Sequence, residues 1–164
     1  MFTLIKSQSI DLSNILTLHE LFYRGIDKDN AGRYRKIAIF VSGTDFVFPA
    51  PEQVENKMQE LEQWIKSERD KLHPVVFTAL LHLKLVTIHP FIDGNGRTAR
   101  LLTNLALIQK GYLPVIVPPI LKVEYNDCIR QYQNKSKEQP FIDFIEEQEL
   151  ETQKEMMRLL HIDL

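Results

Sequence analysis

Residues 89–100 concentrate the chemistry of this chain: His89-Pro90-Phe91-Ile92-Asp93-Gly94-Asn95-Gly96-Arg97-Thr98-Ala99-Arg100. His89, with an ordinary pKa of roughly 6.5, can accept a proton near neutral pH. Asp93 is a hard oxygen donor of the kind that holds Mg²⁺ beside phosphates, because that ion keeps several waters and needs few protein ligands. Gly94-Asn95-Gly96 can take positive φ at each position and turn successive N–H groups into one anion-binding concavity. A helix expected from about Arg97 to Lys110 adds its unpaired N–H groups and positive dipole end. Arg97 and Arg100 project from neighbouring positions on its first turn, where a cation opposes the dipole. Two arginines in that place point to a bound anion, and their forked donors match phosphate oxygens. Taken singly, each residue has a plainer role as helix end, turn or solvated face. Their order and spacing together suit a triphosphate, a divalent metal and a proton acceptor.

Such a run must be held by rigid elements on either side. Pro74 to His89 is almost entirely apolar, which predicts a helix buried on most sides, and Pro90 stops it. The Arg97–Lys110 helix ends at Gly111. Further helices are predicted over Ile10–Tyr23, Pro51–Ser67, Leu121–Asn134 and Pro140–Leu160, with Pro114–Pro119 extended. Between the first two, Lys36–Phe40 and Phe46–Phe48 flank Ser42-Gly43-Thr44-Asp45, which reads as a β-hairpin over about Ile37–Phe48. The exposed edge of a short hairpin could take up an extended peptide. The fold expected is mainly α, an orthogonal helical bundle with one small hairpin.

At this point the chain resembles a known family. Residues 89–100 match, position for position, the Fic signature His-x-Phe-x-(Asp/Glu)-Gly-Asn-Gly-Arg-x-x-Arg. Gly32-Arg33-Tyr34-Arg35 resembles the family's segment before its hairpin flap. Phe48-Pro49-Ala50-Pro51, followed by Val54, Met58 and Trp64, resembles the next helix. The likeness runs over about residues 9–144 and is strongest with the branch that includes the animal endoplasmic-reticulum Fic enzyme and many bacterial relatives. It implies a single Fic domain over 1–164 that transfers AMP from ATP to a Tyr, Thr or Ser hydroxyl of a target protein, or of itself, and releases pyrophosphate. By that resemblance His89 is the base and Asp93 holds Mg²⁺ between the α- and β-phosphates. The Gly94, Asn95 and Gly96 backbone forms the anion hole, with the Asn95 side chain near the α-phosphate, and Arg97 and Arg100 grip the outer phosphates. Val41, Ser42, Gly43 and Thr44 cover the nucleotide and dock the target. Tyr125 and Asn126, with Gln133 or Asn134 further on, line the adenine pocket.

A related toxin branch carries Lys at the second-glycine position and acts as a kinase; Gly96 here favours AMP transfer. Transfer of UMP, phosphocholine or phosphate is the second reading. A non-catalytic nucleotide-binding regulatory module is the third, opposed by the intact His89 and Asp93. Many relatives also carry an inhibitory (Ser/Thr)-x-x-x-Glu-(Gly/Asn) helix whose glutamate pairs with the second signature arginine, here Arg100. The only Glu before Gly or Asn is Glu55, and Pro51 stands four residues earlier, so the motif is absent. Three expectations follow: an inhibitory helix on a longer N-terminus, which the resemblance favours; an antitoxin-like partner acting in trans; or constitutive activity. The family's reverse reaction uses the same glutamate and is not expected without it. A homodimer is compatible with the resemblance, since such domains often dimerise.

Composition narrows the field. The 164 residues suit one domain with a real core, and a net charge of −2 leaves no general nucleic-acid footprint. Cys128 alone forms no intrachain disulfide framework. No segment approaches the roughly 20 apolar residues of a membrane span, and Met1–Lys6 lacks a charged leader, so a cytoplasmic protein is expected. His19, His73, His82 and His161 show no ligand spacing and are assigned structural roles.

Overall fold

The computed structural model describes residues 5–7 and 9–162. Among the described residues the bundle is built from six α-helices: α1 Leu12–Tyr23, α2 Pro51–Glu68, α3 Pro74–Ile88, α4 Asn95–Gln109, α5 Lys122–Lys135 and α6 Gln139–Leu159. A short 3₁₀ turn, Pro119–Leu121, leads into α5. α1 opens on a reciprocal cap. Asp11 accepts from the Asn14 N–H at 2.9 Å, and the Asn14 side chain accepts from the Asp11 N–H at 3.1 Å. α2 and α3 each start on a proline, whose missing N–H has no role in the first turn.

α3 is the axis of the bundle. It packs against α2, α4, α5 and α6, and its apolar residues point in all directions because each side meets another helix. On one side Leu81 and Leu85 join Ile15, Leu18, Met58, Ile65, Phe91 and Leu102 in a core cluster. On the other, Ala79 and Leu83 join Leu107, Tyr125, Phe141 and Ile145 in a second. Burying each of these large side chains contributes about 1.5–3 kcal/mol, so α3 and the loop at its C-terminal end are held from both sides. No helix among the described residues is long and apolar enough to cross a membrane.

Two expectations change. Among the described residues there is no β-strand, so residues 37–48 form a loop and not a hairpin. The pattern of alternation is present, but one set of its apolar residues is exposed and the other, Ile39, Val41, Phe46 and Phe48, is only half-buried. Ile37, Phe40 and Val47 are 55%, 97% and 87% exposed, so no buried face fixes a register, and two strands alone are marginal in water. The loop still reverses at Gly43, at φ +85, and the Thr44 hydroxyl accepts from the Phe46 N–H at 3.1 Å. The second change is at the signature. Of the Gly94-Asn95-Gly96 triplet only Gly94 has positive φ, +79; Asn95 and Gly96 are already helical, so α4 starts two residues earlier than the pattern implies.

Candidate active site

His89 caps α3 in the left-handed conformation, at φ 53 and ψ 58. Its N–H still closes the last helical turn on the Leu85 carbonyl at 2.9 Å, while the chain swings away into Pro90. The imidazole Nδ1–H donates to the Val86 carbonyl at 3.1 Å, so Nε2 carries the lone pair. Burial pushes the His89 pKa below its ordinary value. The Val86 hydrogen bond and the Asp93 charge pull the other way, and the Arg35 charge lowers it further. A neutral base results. Phe48 sets its ring edge-on to the imidazole at 4.7 Å.

A left-handed non-glycine residue is strained, by about 1–3 kcal/mol, and something must hold it. Arg35 does so. Its Nε donates to the His89 carbonyl at 2.8 Å, and its own N–H donates to the Pro90 carbonyl at 2.8 Å. The other guanidinium nitrogens donate to the carbonyls of Ile37, at 3.0 Å, and Pro49, at 2.7 Å. One buried side chain thus ties the loop after α3 to both ends of the 37–48 loop.

The carboxylate side of the loop rests on His19. The Gly32 N–H donates to Nδ1 at 2.9 Å, so the proton sits on Nε2, which donates to the Asp93 carbonyl at 3.1 Å. The ring stacks on Phe91 at 3.8 Å between centroids. Gly94 follows in contact with this layer: a Cβ there would lie 2.9 Å from Phe22 Cζ and 3.3 Å from His19 Nε2. Asn95 turns its side chain inward, accepting from the Phe91 N–H at 2.9 Å and donating to the Phe91 carbonyl at 2.8 Å. That side chain braces the loop and does not face outward to a phosphate. The N–H groups of Asn95, Gly96 and Arg97 have no backbone acceptor among the described residues, which leaves them free for an anion at the start of α4. Asp93 and Arg97 form an exposed ion pair at 3.1 Å, with side chains 63% and 45% accessible.

These elements meet at a cleft of about 320 Å³, a size within the roughly 300–1,000 Å³ of small-molecule sites. Val41, Ser42, Gly43 and Thr44 line it together with His89, Gly96 and Arg100 and with Tyr125, Asn126 and Gln133. Asn134 is exposed and does not line the cleft. Asp93 and Arg97 stand outside the lining.

The model of the Fic/DOC family matches residues 9–107, more than half of the chain. The chain belongs to the Fic/DOC family. It is similar to a protein adenylyltransferase Fic of Nematostella vectensis, 44% identical over 141 residues, which cover 85% of this chain and 32% of that protein. The corresponding Drosophila grimshawi protein is 41% identical over 144 residues, 87% of this chain and 29% of the relative. The chain therefore spans about a third of the length of the curated relatives it matches. Among solved structures, Fic-1 of C. elegans superposes with a TM-score of 0.84 at 29% identity, over 94% of this chain and 45% of that one. BepC of Bartonella tribocorum, with a TM-score of 0.71 at 19% identity over 86% of this chain and 75% of that one, shares the fold.

Within this Fic fold, four contributors escape a reading of the sequence. Phe48 and Arg130 line the cleft, and Arg130 donates to the Gly43 carbonyl at 3.2 Å while pairing with Asp127. His19 lies on no motif, and Arg35, although it ends the Gly32–Arg35 segment that carries part of the resemblance, bears no mark in the sequence of the carbonyls it will face. Glu55 lies on the exposed surface of α2, in keeping with its structural reading. No group of three or more His, Cys, Asp or Glu able to hold a metal occurs among the described residues.

Proposed function

We propose that this chain transfers AMP from ATP to a Tyr, Thr or Ser hydroxyl of a protein. The observation that carries the reading is the state of His89: neutral, oriented by Val86 through Nδ1–H, and with its Nε2 lone pair free in the same cleft as the N-terminus of α4. A pure binding module has no use for such a base. The relatives of Nematostella and Drosophila are named protein adenylyltransferases, BepC was solved with AMPPNP, and a Fic domain of Bartonella quintana was solved with ADP.

In this reading His89 Nε2 takes the proton of the target hydroxyl. The oxygen attacks the α-phosphorus in line, a new O–P bond forms, the bond to the β-phosphate oxygen breaks, and pyrophosphate leaves. The free N–H groups of Asn95, Gly96 and Arg97 and the dipole of α4 stabilise the negative charge on the phosphates, and Arg100 grips the outer ones. Asp93 fits Mg²⁺: a single exposed carboxylate, without the multi-carboxylate cage of a Ca²⁺ site, would complete a shell made of phosphate oxygens and water. Arg97 then exchanges the Asp93 carboxylate for phosphate oxygen. Bound Mg²⁺ would neutralise phosphate charge. Tyr125, Asn126 and Gln133 take the adenine. Val41–Thr44 cover the nucleotide, and an extended target segment pairing with residues 37–48 would supply the strand partner that this loop lacks. An inhibitory helix, from the same polypeptide or an antitoxin-like protein, would act by occupying Arg100.

The test uses ATP labelled at the α- or the γ-phosphate, with Mg²⁺, wild type and His89→Ala, and reads label on this protein or on proteins of a lysate. His89-dependent α-label without γ-label is expected. γ-Label alone would make this a kinase, and binding of ATP without transfer of either label would leave a regulatory module.

A further inference from the structure

Behind Arg100 lies a buried polar chain of which the proposed reaction uses directly only the Tyr125 ring. It runs through α4, α3 and α5: Thr103, His82 and Tyr125, which are 1%, 1% and 6% exposed. Its polarity follows from donor and acceptor capacity. The Thr103 hydroxyl donates its hydrogen to the Ala99 carbonyl at 2.9 Å. Its oxygen can then only accept from His82 Nδ1, which lies 3.2 Å away, so the imidazole proton sits on Nδ1. Nε2 is left with its lone pair, and the Tyr125 O–H donates to it at 2.7 Å. Any other arrangement sets two donors or two acceptors against each other. Burial holds the His82 pKa down at about 3, with the Arg100 charge acting in the same direction, so the imidazole stays neutral and keeps accepting from Tyr125.

The last link faces the cleft. The Arg100 guanidinium carbon lies 6.0 Å from the centroid of the Tyr125 ring. Because the phenol hydrogen is committed to His82, the oxygen presents only lone pairs to the cation. Arg100 itself projects from the same turn of α4 that begins the chain at Ala99. The path therefore runs from the α4 backbone through Thr103 and His82 to Tyr125, on whose ring the Arg100 guanidinium lies. Burial raises the Tyr125 phenol pKa, and the Arg100 charge pulls it back in part.

We propose that His82 and Tyr125 are positioning residues that hold the Arg100 guanidinium in its phosphate-binding orientation, through a hydrogen-bond chain anchored on the α4 backbone. This rests on the reading of Arg100 as a phosphate ligand. Tyr125 thereby has two tasks, a ring that lines the nucleotide cleft and a hydroxyl that serves the phosphate end. His82 reaches the site only through Tyr125.

The experiment measures ATP and adenosine binding by calorimetry for wild type, Tyr125→Phe, His82→Phe, His82→Gln and Arg100→Ala, and for Tyr125→Phe combined with Arg100→Ala. Tyr125→Phe keeps the ring and removes the hydroxyl. It is expected to weaken ATP roughly tenfold, the weight of about one hydrogen bond, and to weaken adenosine far less, because the ring remains. His82→Phe does the same. His82→Gln, whose amide oxygen can take the place of Nε2, restores most of the ATP affinity. In the Arg100→Ala background Tyr125→Phe costs nothing further, the mark of two residues acting as one unit. Equal weakening of ATP and adenosine, or additive effects in the double variant, would overturn the positioning role and leave Arg100 as a phosphate ligand. Wild-type ATP affinity in Arg100→Ala would overturn the phosphate role of Arg100, and the positioning role with it. Should His82→Phe fail to fold, Tyr125→Phe and His82→Gln carry the same comparison.

Discussion

Mild acid should destabilise this protein well above the pH at which carboxylates titrate, and His82 sets the size of the effect. In the unfolded chain this histidine ionises near its ordinary value of roughly 6.5. In the folded protein burial lowers its pKa to about 3. Between these values the unfolded state binds a proton that the native state refuses, so stability rises with pH across that window and falls as pH is lowered from 6.5. From pH 7.5 to pH 5 the linkage integrates to a loss of about 2 kcal/mol for this one residue, a large share of a total of roughly 5–15 kcal/mol. His19 and His89 have pKa values lowered first by burial and add in the same direction. The assay is urea denaturation followed by the fluorescence of Trp64, the only tryptophan, which stacks on Phe77 at 5.2 Å beside the core. His82→Gln has no proton to take up at this position. Its loss between pH 7.5 and pH 5 should be smaller than that of wild type by about 2 kcal/mol, at equal urea dependence. Equal losses in the two proteins would show that His82 is charged in the native state, and the direction assigned to the buried hydrogen-bond chain would fall with it.

Three further outcomes follow from the site. Gly94→Ala places a side chain at φ +79 and within 2.9 Å of Phe22, so a thermal or urea melt should show a loss of about 2–4 kcal/mol; a melt within 0.5 kcal/mol of wild type would mean that the loop re-forms without this geometry. Arg35→Lys keeps the charge but cannot meet the carbonyls of His89, Ile37 and Pro49 together. Stability should drop by roughly 2 kcal/mol and turnover should fall more than ATP affinity, whereas full turnover would separate the clamp from the placement of His89. Because the His89 pKa is lowered, chiefly by burial, the acid limb of the AMP-transfer rate should be centred below the ordinary histidine value of roughly 6.5, and an acid limb centred above 6.5 would refute a buried neutral base.

The residues of the signature and the helices that carry it could be read without a structure, because both depend on local order. An apolar run bounded by prolines has to be a buried helix, and glycines beside two arginines mark a helix start suited to an anion. The resemblance of residues 89–100 to the Fic signature then supplied the choice of phosphorus. What failed to be legible was non-local. The alternation of residues 37–48 is a true strand pattern, but strands need partners, and here Arg35 holds the two ends of the loop through carbonyls where a backbone ladder was expected. The Asn95 side chain, expected beside the α-phosphate, closes a ring with the Phe91 backbone instead.

The histidines draw the line most clearly. His89 could be assigned from its neighbours in the chain, since Pro90 and the glycine turn fix where it must lie. His19 and His82 offered no spacing to read, and the difference between an inert core histidine and one that shapes the site lies in what faces it across the bundle. For His19 that is the Asp93 carbonyl, 74 positions away, and for His82 the Tyr125 hydroxyl, 43 away. The sequence by itself determined the chemical groups and the helix start that presents them, because those are set by neighbouring residues. Only the tertiary structure decided which way the protons point and what keeps the arginines and the base in place, because hydrogen-bond partners inside a core are chosen by packing between distant segments.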